Sequence, residues 1–261
     1  MNAFSAYAPR VPGFVTATDL AVALDAAGDP EDAVFLRRYF KTGPGEYGEG
    51  DVFIGVRVPA VRALVRQSRS MPVDEAFELL ESAVHEHRLA ALLLLVDRFT
   101  SASRARTRDD GLRAALHARY LVAVSRRQVD NWDLVDSSAE VLVGAWLLGP
   151  PAQPTGELDR LAGSPLLWER RVAMIATYAF IRAGHAEPAL HVAELLLDDP
   201  EPLIHKASGW MLREVGKRVS RDVLTDFLSV HAARMPRTML SYATEHLTPQ
   251  ERSAFRALRP T

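Results

Sequence analysis

Asn131-Trp132-Asp133-Leu134-Val135-Asp136 opens a long segment with helical periodicity, and what recurs after it decides the fold. Trp132 and Asp136 are four apart, so on a helix both project from one face. Arg171 stands 39 residues beyond Trp132, in Leu167-Trp168-Glu169-Arg170-Arg171-Val172-Ala173-Met174. Trp210 stands 39 residues beyond Arg171, in Lys206-Ala207-Ser208-Gly209-Trp210-Met211-Leu212-Arg213-Glu214. That step is close to the period of about 40 residues of HEAT-type helical repeats. Equal spacing places the three side chains at equivalent points of successive repeats, where they would line one inner surface.

Apolar residues recur at helix spacing over 57–69, 73–85, 88–99, 106–125, 132–148, 167–183, 186–197, 203–219 and 221–233. Breakers separate these segments: Asp130-Asn131, Gly149-Pro150-Pro151, Gly163-Ser164-Pro165, Asp199-Pro200-Glu201-Pro202 and Met235-Pro236. Only 52–58 reads as a short strand. The expectation is an all-α fold: a HEAT-like helical-repeat solenoid, one domain over 1–261, with a concave and locally basic face. Residues 1–17 are expected to be a loosely held terminus. Residues 41–51 carry Gly43, Gly45, Gly48 and Gly50 without the Gly-Lys-Ser/Thr ending of a phosphate loop, and read as a plain Gly-rich loop.

The composition limits the chemistry. The chain has 261 residues and no cysteine, which excludes disulfides, thiolate metal sites and a cysteine nucleophile. The eight histidines form no His-Glu-x-x-His pattern, so no metal and no cofactor is expected. No apolar run approaches 20 residues, and Asp19 and Asp25 interrupt any leader-like core; no membrane association is expected, and a cytoplasmic, nucleoid-associated location is. A net charge of −2 means that any nucleic-acid binding must rest on cations gathered on one face.

Such a gathering is visible. Lys206, Trp210, Arg213 and Lys217 are spaced 4, 3 and 4 apart and share one helix face, a ridge suited to phosphates with an aromatic platform. The same residues also suit an exposed amphipathic helix whose Trp210 folds onto its neighbour. Arg171, Tyr178 and Arg182 form a second stripe, unless Arg171 is simply solvated. Trp132 and Asp136 suit either a reactive pair or a core tryptophan beside a surface carboxylate. Asp133 sits in the first turn, where the helix dipole favours an anion.

These residues resemble a known family, the HEAT-like-repeat DNA glycosylases of the AlkD type, which are DNA alkylation repair enzymes. The matching pieces are Trp-Asp-x-Val-Asp at 132–136, Trp-x-x-Arg at 168–171 and Lys-Ala-x-Gly-Trp-x-Leu-Arg-Glu at 206–214. Arg-Tyr-x-Lys at 38–41, Phe-Ile-Gly-Val at 53–56 and Pro59 resemble the family's opening segment. The resemblance implies that Asp136 is the catalytic carboxylate, that Trp132, Trp210 and Tyr39 line the lesion pocket, and that Arg171 contacts the backbone beside the lesion. It implies removal of N3- and N7-alkylated purines from double-stranded DNA, by a monomer, without turning the base into a deep pocket.

The residues suit that chemistry on physical grounds. An N3- or N7-alkylpurine is already cationic and leaves without a strong general acid; the sugar's oxocarbenium character is what needs stabilising. A carboxylate about 4 Å away, at an effective dielectric of about 20, contributes about 4 kcal/mol, or roughly a thousandfold in rate. Each tryptophan face attracts the same cation by about 0.5–2 kcal/mol. Lys206, Arg213, Lys217 and Arg182 would hold phosphates. A non-catalytic DNA-binding repeat protein and a protein-binding scaffold remain the competing readings.

Overall fold

The computed structural model describes residues 13–149 and 154–258, and among them every regular element is helical. The only β feature there is an isolated parallel bridge between Val52 and Val84. The expected strand over 52–58 is therefore replaced. The buried Glu86 carboxylate accepts the amides of Ile54, Gly55 and Val56, which a neighbouring strand would otherwise take. Gly55 has φ 85°, which ends the extended run, and Val58–Gln67 is already helix. The segments 1–17 and Gly149-Pro150-Pro151 fall partly outside the described residues.

Contacts group the described residues into two compact units, one of 13–44 with 49–94 and the other of 45–48 with 95–258. The first contains the helices Ala17–Ala26, Pro30–Arg37, Val58–Gln67 and Val73–Leu79, around a core that includes Leu20, Leu24, Val61 and Leu80. Two of these helices escaped the periodicity reading, because they are short and begin on caps rather than on long apolar stripes. Thr16 accepts the Asp19 amide, and Asp29 accepts those of Glu31 and Asp32 with Pro30 in the first turn.

The second unit carries the residues of interest. Its core includes Tyr120, Leu134, Leu142, Val172, Ile175, Ile204, Met211 and Met239. The expected continuous helix over 132–148 is three pieces: the helix Trp132–Asp136, a π-turn Glu140–Gly144 and the short helix Ala145–Leu147. The wide π-turn brings backbone against backbone. A Cβ on Gly144 would lie 2.1 Å from the Ala176 carbonyl oxygen, so only glycine fits. The expected helix over 167–183 also divides, into Leu167–Ala176 and Tyr178–Arg182. Buried Thr177 marks the break, and its hydroxyl bonds the Met174 carbonyl.

The helix Pro202–Arg218 is continuous as expected and packs on Leu167–Ala176 on one side and on Arg237–Ala243 on the other. The second contact explains Gly209. A Cβ there would stand 2.5 Å from the Met239 carbonyl oxygen and 2.6 Å from the Tyr242 Cβ. The final helix, Pro249–Ala257, starts with a capping box between Thr248 and Glu251. No helix among the described residues is long and apolar enough to cross a membrane.

Candidate active site

Asp136 closes the five-residue helix Trp132–Asp136, which begins at Asn131, a buried cap whose side chain accepts the Trp132 amide at 2.8 Å. Below that helix, the Tyr120 hydroxyl meets Ser138 Oγ at 2.9 Å, and Ser138 donates to the Leu134 carbonyl at 2.6 Å. Tyr120 and Ser138 are fully buried, so the turn carrying Asp136 rests on a dry hydrogen-bonded floor. Burial pushes the Tyr120 hydroxyl far above the usual tyrosine range, and it stays a neutral donor or acceptor.

Arg171 reaches Asp136 from the next helix. Its Nε donates to one carboxylate oxygen at 2.9 Å and its Nη2 to the other at 2.8 Å, while Nη1 donates to the Leu203 carbonyl at 2.6 Å. One guanidinium thus joins three helices: Trp132–Asp136, Leu167–Ala176 and Pro202–Arg218. The Arg171 side chain is 5% exposed and that of Asp136 17%, so the pair is largely buried. Burial raises the Asp136 pKa above its ordinary value; the charge and hydrogen bonds of Arg171 work against that rise without cancelling it.

The neighbouring Arg170 explains the aim of Arg171. Adjacent residues on a helix diverge by about 100°. Arg170 turns away to Asp199, with Nε 2.6 Å from the carboxylate, and to the carbonyls of Ser164 and Pro165. Asp199 also caps the turn into the next helix through the Glu201 amide, and its own carbonyl meets His205 Nε2 at 2.5 Å. The helix is fixed at both arginines, which sets its rotation.

Trp210 lies seven residues after Leu203, two turns along the same helix and on the same side. It is half-buried, with its ring centroid 6.1 Å from that of Tyr178 and the two rings tilted by 40°, and the Arg218 guanidinium lies over the Tyr178 ring at 5.4 Å. Tyr178 therefore serves Trp210 rather than a cationic stripe with Arg171. Trp168, part of the sequence fingerprint, is buried and meets the edge of Tyr47 from the Gly-rich loop at 5.8 Å.

The cations divide into two kinds. Arg182 pairs with Glu140 at 2.7 Å, and Arg213 pairs with Glu214 at 3.0 Å and Glu245 at 2.5 Å. Burial pushes the Glu214 pKa up, but Arg218 and Arg213 outweigh it and hold it below the usual range. Lys206 and Lys217 are exposed. Tyr39 belongs to the other unit, where it is 60% exposed and packs edge-on against Phe35. Among the described residues no three histidines or carboxylates group as a metal site.

Proteins of known kind share this chain's features. The family model of DNA alkylation repair enzymes matches residues 20–247, most of the chain. The chain belongs to that family. Its fold is that of a solved structure, described as a predicted DNA alkylation repair enzyme from Enterococcus faecalis. The two share 18% sequence identity with a TM-score of 0.62, over 85% of this chain and 97% of that one. No curated protein matches the chain significantly.

Spacing alone could not have found the Leu203 carbonyl, the Asp199 brace or the Tyr120–Ser138 floor. Only the Arg170-Arg171 pair carried a usable signal, since two adjacent arginines that diverge by about 100° require two separate sets of acceptors.

Proposed function

We infer that this protein is a monofunctional DNA N-glycosylase that releases cationic N3- and N7-alkylated purines from double-stranded DNA. The observation that carries this reading is the Asp136 carboxylate, fixed on both oxygens by Arg171 and not wholly buried. Trp132, one turn before it, and Trp210 supply aromatic faces for a cationic base. Lys206, Lys217, Arg182 and Arg213 supply charge for phosphates, the two arginines by exchanging their carboxylate partners. Tyr39 is assigned to the lesion pocket through the family resemblance.

The paired arginine changes the electrostatics but not their sign. A sugar cation about 4 Å from the carboxylate and about 8 Å from the guanidinium gains about 4 kcal/mol from the first and loses about 2 kcal/mol to the second, at an effective dielectric of about 20. The net of about 2 kcal/mol is roughly thirtyfold in rate. What Arg171 adds is orientation, since a carboxylate bonded on both oxygens cannot rotate away as charge develops. In this reading the same carboxylate orients the attacking water.

A second reading, a DNA-binding protein without chemistry, is favoured by that same pairing, because Arg171 already compensates the charge of Asp136. The experiment that separates the two is base release from a duplex carrying a single 7-methylguanine, comparing the parent with Asp136→Asn. Release by the parent, cut by thirtyfold or more in the variant at equal DNA affinity, is the glycosylase result. Equal release by both would sink the mechanism, and tight binding with no release by either would leave the binding protein.

A further inference from the structure

At the end of the chain a pocket of about 310 Å³ is lined by Arg237 and Ser241 from the helix Arg237–Ala243, by Leu240, and by Arg256 from the helix Pro249–Ala257. Two guanidiniums facing one cavity repel each other, so folding holds them together at a cost that a counter-charge would offset. Four neighbouring arginines in this part of the chain have such a charge, and among the described residues Arg252 does not. Arg213 has Glu214 and Glu245, Arg218 has Glu214, Arg221 has Glu251, and Arg234 has Asp198. Arg237 and Arg256 have no carboxylate partner among the described residues. The two nearest carboxylates in sequence, Glu245 and Glu251, are already committed elsewhere, to Arg213 and to Arg221 with Thr248.

We propose that Arg237, Ser241 and Arg256 form a phosphate site that takes one phosphodiester of the DNA backbone. The chemistry suits a phosphoryl group: two planar forks offer paired N–H donors to its oxygens, and the Ser241 hydroxyl supplies a third donor group. Arg237, Ser241 and Arg256 are exposed, as a backbone contact requires. The helix carrying Arg237 and Ser241 packs directly on the helix of Trp210, where Gly209 allows the approach to Met239 and Tyr242. A phosphate seated here would therefore be registered against the tryptophan-bearing helix by rigid backbone packing. Arg237 and Ser241 lie within the span of the family match, and Arg256 lies beyond residue 247, where that match ends. The proposal rests on the reading that the protein acts on DNA.

The test is the affinity of the full chain for an undamaged duplex, measured across a salt titration, for the parent, for R237Q/R256Q and for R237K/R256K. Loss of one phosphate contact lowers the slope of log affinity against log salt by about 0.9, and weakens binding roughly eightfold at about 0.1 M salt. R237Q/R256Q should show both changes with an unaltered melting temperature, and R237K/R256K should recover most of the slope. An unchanged slope and affinity in R237Q/R256Q, with the parent binding normally, overturns the site while leaving the DNA reading intact. A parent that binds no duplex at low salt overturns both. Inorganic phosphate supplies the second arm, against chloride at matched ionic strength. If it raises the parent's melting temperature and not that of R237Q/R256Q, while DNA affinity is identical, the pocket serves free phosphate and the backbone assignment is wrong.

Discussion

The Asp136 carboxylate is held at 2.9 and 2.8 Å by the Nε and Nη2 of Arg171, whose third nitrogen is spent on the Leu203 carbonyl. One residue thus orients the reactive anion and ties together the three helices around it. This double duty makes its substitutions separable by measurement.

Replacing Arg171 with Met leaves a largely buried carboxylate without its charge partner. The fold should lose about 3–5 kcal/mol near neutral pH, read as a lower denaturant midpoint with an unchanged slope. Arg171→Lys keeps the charge but cannot reach both oxygens and the carbonyl together, and should lose activity with a smaller stability cost.

The reaction should weaken on the acid side at an unusually high pH. Burial raises the Asp136 pKa, and only the ionised form stabilises a cation. Base release should therefore fall as pH drops through a value above the ordinary carboxylate range, and this limb should vanish in Asp136→Asn. Arg171 opposes the rise, so Arg171→Gln should move the limb to still higher pH. The same shift acts on stability with the opposite sign: the folded state favours the protonated carboxyl, and that contribution is present below the unfolded pKa and lost as pH rises through the folded one.

Gly209→Ala should destabilise the protein by about 1–3 kcal/mol, because its Cβ would meet the Met239 carbonyl oxygen at 2.5 Å. The helix Pro202–Arg218 would shift from Arg237–Ala243 and carry Trp210 with it. Thermal unfolding and base release should fall together. Equal melting temperatures would contradict the close approach.

Trp210→Ala should cost about 1–3 kcal/mol in binding if bases or a cationic lesion stack on it. The loss should be larger for a cationic lesion duplex than for undamaged DNA, by about 0.5–2 kcal/mol. An equal loss on both would assign Trp210 to packing on Tyr178 alone.

The sequence by itself determined the fold class. The 39-residue step from Trp132 to Arg171 to Trp210, the 3.6-residue apolar period and the breakers between segments are local or repeating signals, so they survive without coordinates. It also singled out Asp136, Trp132, Arg171 and Trp210, because uncommon residue types at helix spacing are visible along one strand of text. What only the tertiary structure decided is how those side chains are spent. The Arg171 guanidinium is the partner of the Asp136 carboxylate. Tyr178 proved to belong with Trp210, and two long helices proved to be broken at the π-turn 140–144 and at Thr177. The acceptors responsible lie far away in sequence: Asp136 is 35 residues from Arg171, Leu203 is 32 from it, and the Ala176 carbonyl facing Gly144 is on another helix. Hydrogen bonds and close packing depend on which faces meet when helices stack, and a helical period fixes a residue's face but not the partner that face will find.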